Sequence, residues 1–86
     1  MLKLWTEAAW DDYAWWQNRD MMTLRRINQL IMDIDYSPFE GLGKPEPLRF
    51  ELSGRWSRRI DDRNRLIYRV EDDSVFFYSC RDHYAR

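Results

Sequence analysis

Arg55-Trp56-Ser57-Arg58-Arg59-Ile60, Arg65-Leu66-Ile67-Tyr68-Arg69-Val70 and Ser74-Val75-Phe76-Phe77-Tyr78-Ser79-Cys80 are three short runs rich in aromatic and β-branched residues. Between them lie Asp61, Asp62, Arg63 and Asn64, then Asp72 and Asp73, which are turn formers. The pattern predicts three antiparallel strands. Successive side chains of a strand point to opposite faces, so alternation sorts the residues into two sets. Trp56, Ile60, Leu66, Tyr68, Val70, Phe76, Tyr78 and Cys80 form a predicted core face, on which Arg58 is the exception. Arg55, Ser57, Arg59, Arg65, Ile67, Arg69, Ser79, Arg81 and His83 form a cationic face. With a turn of Asp61, Asp62 and Arg63, Arg59 stands directly opposite Arg65. Like charges across a strand pair repel by a few tenths of a kcal/mol up to about 1 kcal/mol. Flanking aspartates would offset that repulsion, and so would a bound phosphodiester, whose oxygens match the arginine fork.

Upstream, Leu2, Lys3, Leu4 and Trp5 suit a short strand, and Thr6 is a helix N-cap with Glu7 behind it at the positive end of the helix. Ala9, Tyr13 and Trp16 recur at helical spacing, Trp10 lies beside them, and Asp11 and Asp12 face solvent. On this reading Trp10, Tyr13 and Trp16 are core, and Trp15 is left for an interface. Asn18, Arg19 and Asp20 interrupt the pattern. From Asp20 as cap, Leu24, Ile27, Leu30, Ile31 and Ile34 mark a second, longer helix, and the short break predicts an antiparallel helix pair. All prolines and glycines lie between Pro38 and Gly54, so residues 37–44 are a long loop. Leu48 to Leu52 reads equally as a strand or one helical turn. The fold class is α+β: a short N-terminal strand and an antiparallel helix pair packed on a mainly antiparallel β-sheet.

At 86 residues, 44% hydrophobic and 16% aromatic, the chain is a single domain over 1–86 whose rings must supply much of the core, and disorder is excluded. No apolar run approaches the roughly 20 residues of a membrane helix. Glu7, Asp11 and Asp12 fall where a signal peptide is apolar, which points to the cytoplasm and away from the membrane. Cys80 is the sole cysteine and His83 the sole histidine, so an internal disulfide and a structural zinc site are out, and no metal or other cofactor is expected. The net charge of −1 taken alone disfavours a nucleic-acid binder. Its distribution does not: residues 1–43 carry four basic and seven acidic side chains, residues 44–86 ten and eight. An acidic helical surface beside a mixed sheet is the plainest account of that segregation.

Pro38-Phe39-Glu40-Gly41-Leu42-Gly43-Lys44-Pro45-Glu46-Pro47-Leu48 resembles the signature of YoeB-type toxins. Leu52-Ser53-Gly54, Trp56-Ser57-Arg58-Arg59-Ile60, Arg65-Leu66-Ile67-Tyr68 and Arg81-Asp82-His83-Tyr84 follow in the family's order, and Trp10-Asp11-Asp12-Tyr13 fits the first helix. The resemblance covers nearly the whole chain. It implies a RelE-like fold and membership of the RelE/ParE superfamily of type II toxin-antitoxin systems. The implied activity is ribosome-dependent endonucleolytic cleavage of messenger RNA in the ribosomal A site, which inhibits translation. It implies Glu46 as general base, His83 as general acid, Arg65 as stabiliser of the phosphate in the transition state, and Tyr84 as the ring that stacks on or orients the RNA. Lys44, Arg49 and Arg59 are implied to contact phosphate or support the site. The implied partners are a YefM-type antitoxin, the 70S ribosome with its messenger RNA, and a second copy of the chain in a homodimer. Operator DNA is expected only in complex with antitoxin. Position 49 is commonly lysine in the family, and Phe50, Ala85 and Arg86 also depart from its pattern.

The chemistry itself asks for these residue types. Metal-free RNA cleavage needs a base for the 2′-hydroxyl, an acid for the departing 5′-oxygen and cations around the phosphorane. Carboxylates among arginines stay ionised, and a histidine titrates near neutrality. The products would be a 2′,3′-cyclic phosphate or 3′-phosphate and a 5′-hydroxyl. Two other classes share the fold: a ParE-like inhibitor of DNA gyrase, and a non-catalytic antitoxin-binding or operator-binding module. The combination of Glu46, Arg65 and His83 favours the nuclease.

Overall fold

A computed structural model describes residues 1–82. The chain runs β1 (Leu2–Trp5), α1 (Glu7–Gln17), α2 (Met21–Tyr36), β2 (Glu46–Pro47), a 3-10 turn (Phe50–Leu52), β3 (Trp56–Arg59), β4 (Arg65–Glu71) and β5 (Ser74–Ser79). The strands form one sheet in the order β1-β5-β4-β3-β2, with β1 parallel to β5 and every other pair antiparallel. Both predicted caps are made. Thr6 Oγ1 accepts the Ala9 N–H at 3.0 Å, and Asp20 Oδ1 accepts those of Met22 and Thr23, each at 3.1 Å. Ala9 and Trp16 of α1, with Leu24, Ile27, Leu30, Ile31 and Ile34 of α2, bury their side chains against Ile60, Leu66, Tyr68, Val75, Phe77 and Cys80 of the sheet side. The predicted stripe of α2 is thus the core stripe. Within residues 48–52 a helical turn forms over Phe50–Leu52, and the two-residue β2 ahead of it has too little pattern to be read from sequence.

Three expectations are corrected. In β5 the core side chains are Val75 and Phe77, and Phe76 and Tyr78 lie on the opposite face. The cause is a bulge. Ile67 pairs with Ser79 but Tyr68 pairs with Phe77, so Tyr78 is an extra residue that reverses the alternation for everything before it, while Cys80 keeps its core position. Second, Asp12 is buried rather than solvated. The pairing of β1 with β5 stops at Trp5 and Phe77, so the β5 backbone beyond that point needs partners. Thr6 and one side of α1 supply them. Thr6 N–H donates to Phe77 O at 3.1 Å, Asp12 Oδ2 accepts the Cys80 N–H at 3.1 Å, and Trp16 Nε1 donates to Cys80 O at 2.8 Å. Third, Trp10 is 52% exposed, leaning on Trp5 and Tyr13 at the sheet's β1 edge instead of entering the core. Tyr13 is partly buried and donates to Asn28 Oδ1 at 2.7 Å, tying α1 to α2.

The exceptional residue of the core face, Arg58, is wholly buried and organises the loop that leads to β2. Its Nε donates to Tyr68 Oη at 3.0 Å, and one terminal nitrogen donates to Asp33 Oδ2 at 2.6 Å and Leu42 O at 3.1 Å. The other donates to Glu40 O at 2.9 Å and to Ser37 O. Tyr68 in turn donates to Pro38 O at 2.6 Å, and Asp33 Oδ2 accepts the Leu42 N–H at 2.9 Å. Loop carbonyls thereby stand in for water around a buried cation. Gly43, at φ +80°, completes the approach, because a Cβ there would sit 2.9 Å from Leu30 Cδ2 and 3.0 Å from Arg59 O. Gly43 O accepts the Arg59 N–H at 2.6 Å, which seats the loop's end on the sheet.

The Leu42 N–H and the Arg58 guanidinium hold the Asp33 carboxyl below its ordinary value of 3.8. A depressed carboxylate contributes stability that is complete above its unfolded pKa and is lost as pH falls through the folded one. We expect Asp33→Asn to cost about 1–3 kcal/mol near neutral pH, since it leaves the buried guanidinium without its counter-charge. The difference from the parent should shrink as pH falls below about 3.8. Urea denaturation of both proteins across that range checks this, and a gap that widens on acidification would contradict it.

Candidate active site

The register of β2, β3, β4 and β5 aligns Glu46, Ser57, Ile67 and Ser79 in one row across the sheet. Two residues along, Arg59 pairs with Arg65 as the sequence predicts. Because pairing partners share a face, Glu46, Arg59 and Arg65 all lie on the face away from the helices. Glu46 and Arg65 are two strands apart, about 10 Å across the sheet and about 7 Å along it at ordinary spacings, which long side chains can bridge toward one common ligand. Lys44, two residues before Glu46, lies at the Arg59 end, since Gly43 O is bonded to the Arg59 N–H. Arg49 lies beyond the other end of β2, where Leu48 N–H donates to Arg55 O at 2.8 Å and Arg49 caps the 3-10 turn. Lys44, Glu46, Arg49 and Arg59 are exposed.

Arg65 is only 8% exposed, and its environment answers the question of like charges. One terminal nitrogen donates to Asp61 O at 2.7 Å and Asn64 O at 3.1 Å, which fixes the guanidinium plane against the β3–β4 turn. The Asp61 carboxylate is the centre of that turn. Oδ1 accepts the Arg63 N–H at 2.8 Å, the Asn64 N–H at 2.7 Å and Asn64 Nδ2 at 3.1 Å. Partial burial pushes the Asp61 pKa up, but the Asn64 and Arg63 hydrogen bonds and the Arg65 charge outweigh it and hold the carboxyl below its ordinary value. The aspartate next to the turn therefore offsets part of the Arg59–Arg65 repulsion without closing the face to an anion.

The same turn receives the last described residue. Asn64 Oδ1 accepts the Asp82 N–H at 2.7 Å, and the Arg65 N–H donates to Asp82 O at 2.9 Å. Asp82, with φ +63°, is clipped beside Arg65. His83 and Tyr84 lie outside the described residues. Flat side chains cover the rest of the face: the Arg55 guanidinium lies 3.8 Å from the Tyr78 ring centroid, and that of Arg69 lies 4.9 Å from Phe76. The bulge that moved Phe76 and Tyr78 out of the core places them here.

Sequence reasoning misses Arg58, Asp33, Asn64 and Asp82 as supports of the site. For Arg58 a signal exists, since an arginine at a core position must find acceptors. For the others the partners are 18 to 25 residues distant in sequence, and nothing local marks them. Among the described residues no group of three or more His, Cys, Asp and Glu side chains is placed to hold a metal ion, and no helix is long and apolar enough to cross a membrane. A family model for the YoeB-like toxin of bacterial type II toxin-antitoxin systems matches residues 5–84. The toxin YoeB of Escherichia coli K12 is 52% identical over 84 residues, covering 98% of this chain and 100% of that protein. A YoeB/ParE toxin from Agrobacterium tumefaciens superposes with a TM-score of 0.95 at 44% identity, over 98% of this chain and 100% of the other. The toxin in a heterotetrameric YoeB–YefM toxin-antitoxin complex from Staphylococcus aureus superposes with a TM-score of 0.90 at 38% identity, over 98% and 99%. With an α+β fold of the RelE type and these relatives along its whole length, the chain belongs to the YoeB toxin family of type II toxin-antitoxin systems.

Proposed function

We propose that residues 1–86 form a single toxin domain that cleaves messenger RNA in the A site of translating ribosomes and so arrests translation in the cytoplasm. The observation that carries this reading is the shared sheet face of Glu46, Arg59 and Arg65, with Asp82 clipped beside Arg65. In the proposed reaction Glu46 takes the proton of a 2′-hydroxyl, whose oxygen attacks the adjacent phosphorus. The bond from phosphorus to the 5′-oxygen breaks, and His83 protonates that oxygen. Arg65 stabilises the phosphorane, and Lys44, Arg49 and Arg59 hold neighbouring charge. Tyr84 stacks on or orients the RNA. The ends are a 2′,3′-cyclic phosphate, opened later to a 3′-phosphate, and a 5′-hydroxyl. No cofactor enters this scheme.

A YefM-type antitoxin is the proposed inhibitor, by likeness to the Staphylococcus aureus assembly, and operator DNA is met only in complex with it. A second copy of the chain is the proposed occupant of the β1 edge. Leu2, Leu4 and Trp10 are exposed there, and β1 is an outer strand of the sheet among the described residues.

Glu46→Gln and Arg65→Ala are each expected to lower ribosome-dependent cleavage by about 100-fold or more, because each group acts mainly in the transition state. Arg65→Ala also removes two hydrogen bonds, so its thermal midpoint is measured alongside. Growth arrest by either variant at the parent's rate and expression level would remove that residue from the mechanism.

A pair of truncations separates chemistry from docking. Deleting residues 83–86 should abolish cleavage while ribosome binding survives, since Arg59 and Arg65 remain. Deleting only Ala85 and Arg86 should leave cleavage nearly intact. RNA cleavage that persists without His83 sinks the acid assignment, and arrest through gyrase inhibition by that truncation points to ParE-like action instead.

A further inference from the structure

Beside the candidate active site, on the other side of the β3–β4 turn, lies a cleft of about 310 Å³ lined by Trp15, Trp16, Arg63, Asn64, Arg81 and Asp82. The Arg81 and Arg19 guanidinium carbons lie 4.1 Å and 4.4 Å from the centroid of the Trp15 ring. One indole thus gathers two guanidinium groups from segments more than sixty residues apart in sequence, and Arg63 adds a third cation from the turn. Among the described lining residues the carboxylate is that of Asp82. An indole engages the face of a guanidinium and leaves the N–H bonds in its plane directed outward, so a stacked arginine is held in position in a form that can donate to an oxygen ligand. Concentrating cations in a concave site raises the local concentration of anions.

Two connections tie this cleft to the candidate site. Asn64 lies between Arg63 and Arg65 in the chain, and its Oδ1 accepts the Asp82 N–H, so one turn forms a wall of both. Asp82 O accepts the Arg65 N–H, so the segment carrying Arg81 is fixed to the strand carrying Arg65. An RNA strand whose phosphate sits at Arg59 and Arg65 has the cleft beside it. We infer that the cleft binds the neighbouring phosphodiester of the same RNA strand, with Arg63 and Arg81 as its contacts and the Trp15–Arg19 stack holding Arg81 in position. This rests on the reading of the sheet face as an RNA site. It adds a second subsite on the substrate strand, which Lys44, Glu46 and Arg49 at the other edge of the sheet do not supply.

The test is a titration of the full chain carrying Glu46→Gln with a short single-stranded RNA oligonucleotide at several salt concentrations. For each phosphate that the protein no longer neutralises, the slope of log affinity against log salt should become shallower by about 0.7. Arg63→Gln with Arg81→Gln removes the contacts to one phosphate and should therefore lower the slope by about 0.7 and weaken binding at low salt, with the thermal midpoint measured alongside. Arg63→Lys with Arg81→Lys should retain the slope, which separates charge from packing on Trp15. An unchanged slope in the glutamine pair, alongside a reduced one in Arg59→Gln, overturns the cleft and keeps the sheet-face reading. A reduced slope in the glutamine pair alone keeps the cleft and removes Arg59 from the RNA site. A parent protein that does not bind the oligonucleotide even at low salt overturns both. If the glutamine pair weakens binding to ribosomes without messenger RNA but not to the oligonucleotide, the occupant is ribosomal RNA and the inference fails.

Discussion

A single guanidinium inside the core determines where the sheet face can carry chemistry. Arg58 has no exposure, yet it is bonded to Tyr68, Asp33 and three loop carbonyls. Moving a cation from water into protein costs several kcal/mol unless every donor finds a partner. The observed path of residues 37–42 brings those carbonyls within reach, so the loop serves as the solvation shell of the arginine. From that loop the chain enters β2, and β2 delivers Glu46 to the row of Ser57 and Ile67. The position of a surface carboxylate is thereby set by a charge buried on the other side of the sheet.

A second arrangement works in the same manner at the opposite end of the face. Asp61 binds the turn from within, Asn64 passes that order to Asp82, and Arg65 is clamped by two carbonyls of the same turn. Groups held this way are preorganised, which is the condition for electrostatic stabilisation to act on a transition state rather than on binding alone. Neither arrangement places an arginine and a carboxylate in an isolated surface pair, where solvent would take most of the benefit.

What can be read from the chain divides by physical range. Thr6, Asp20, the α2 stripe and the Arg59–Arg65 pairing follow from local rules of capping, periodicity and turn length, and they are legible. The face of Phe76 and Tyr78 is not, because one extra residue in β5 reverses the alternation and no residue type announces a bulge there. Asp12 reads as a solvent residue since its partner, the Cys80 backbone, is 68 residues away. Trp10 reads as core because helical spacing says which residues share a stripe and not where the stripe ends over the sheet. Of the candidate site, the motif names Lys44, Glu46, Arg49, Arg59 and Arg65 as expectations, and the register puts Glu46, Arg59 and Arg65 on one face; the supports that hold them are not legible.

The parallel pairing of β1 with β5 has a consequence for how the chain is made. Leu2 to Trp5 find their ladder partners only in Ser74 to Phe77, and Thr6, Asp12 and Trp16 bond to the same late strand. Contacts of such separation form late and slowly. A nascent chain that has not yet released residues 74–80 lacks the strand against which its first residues close, so the sheet is not completed until that segment emerges. Until then the fold is unfinished, and the topology ties the closing of its first strand to the release of its last described one.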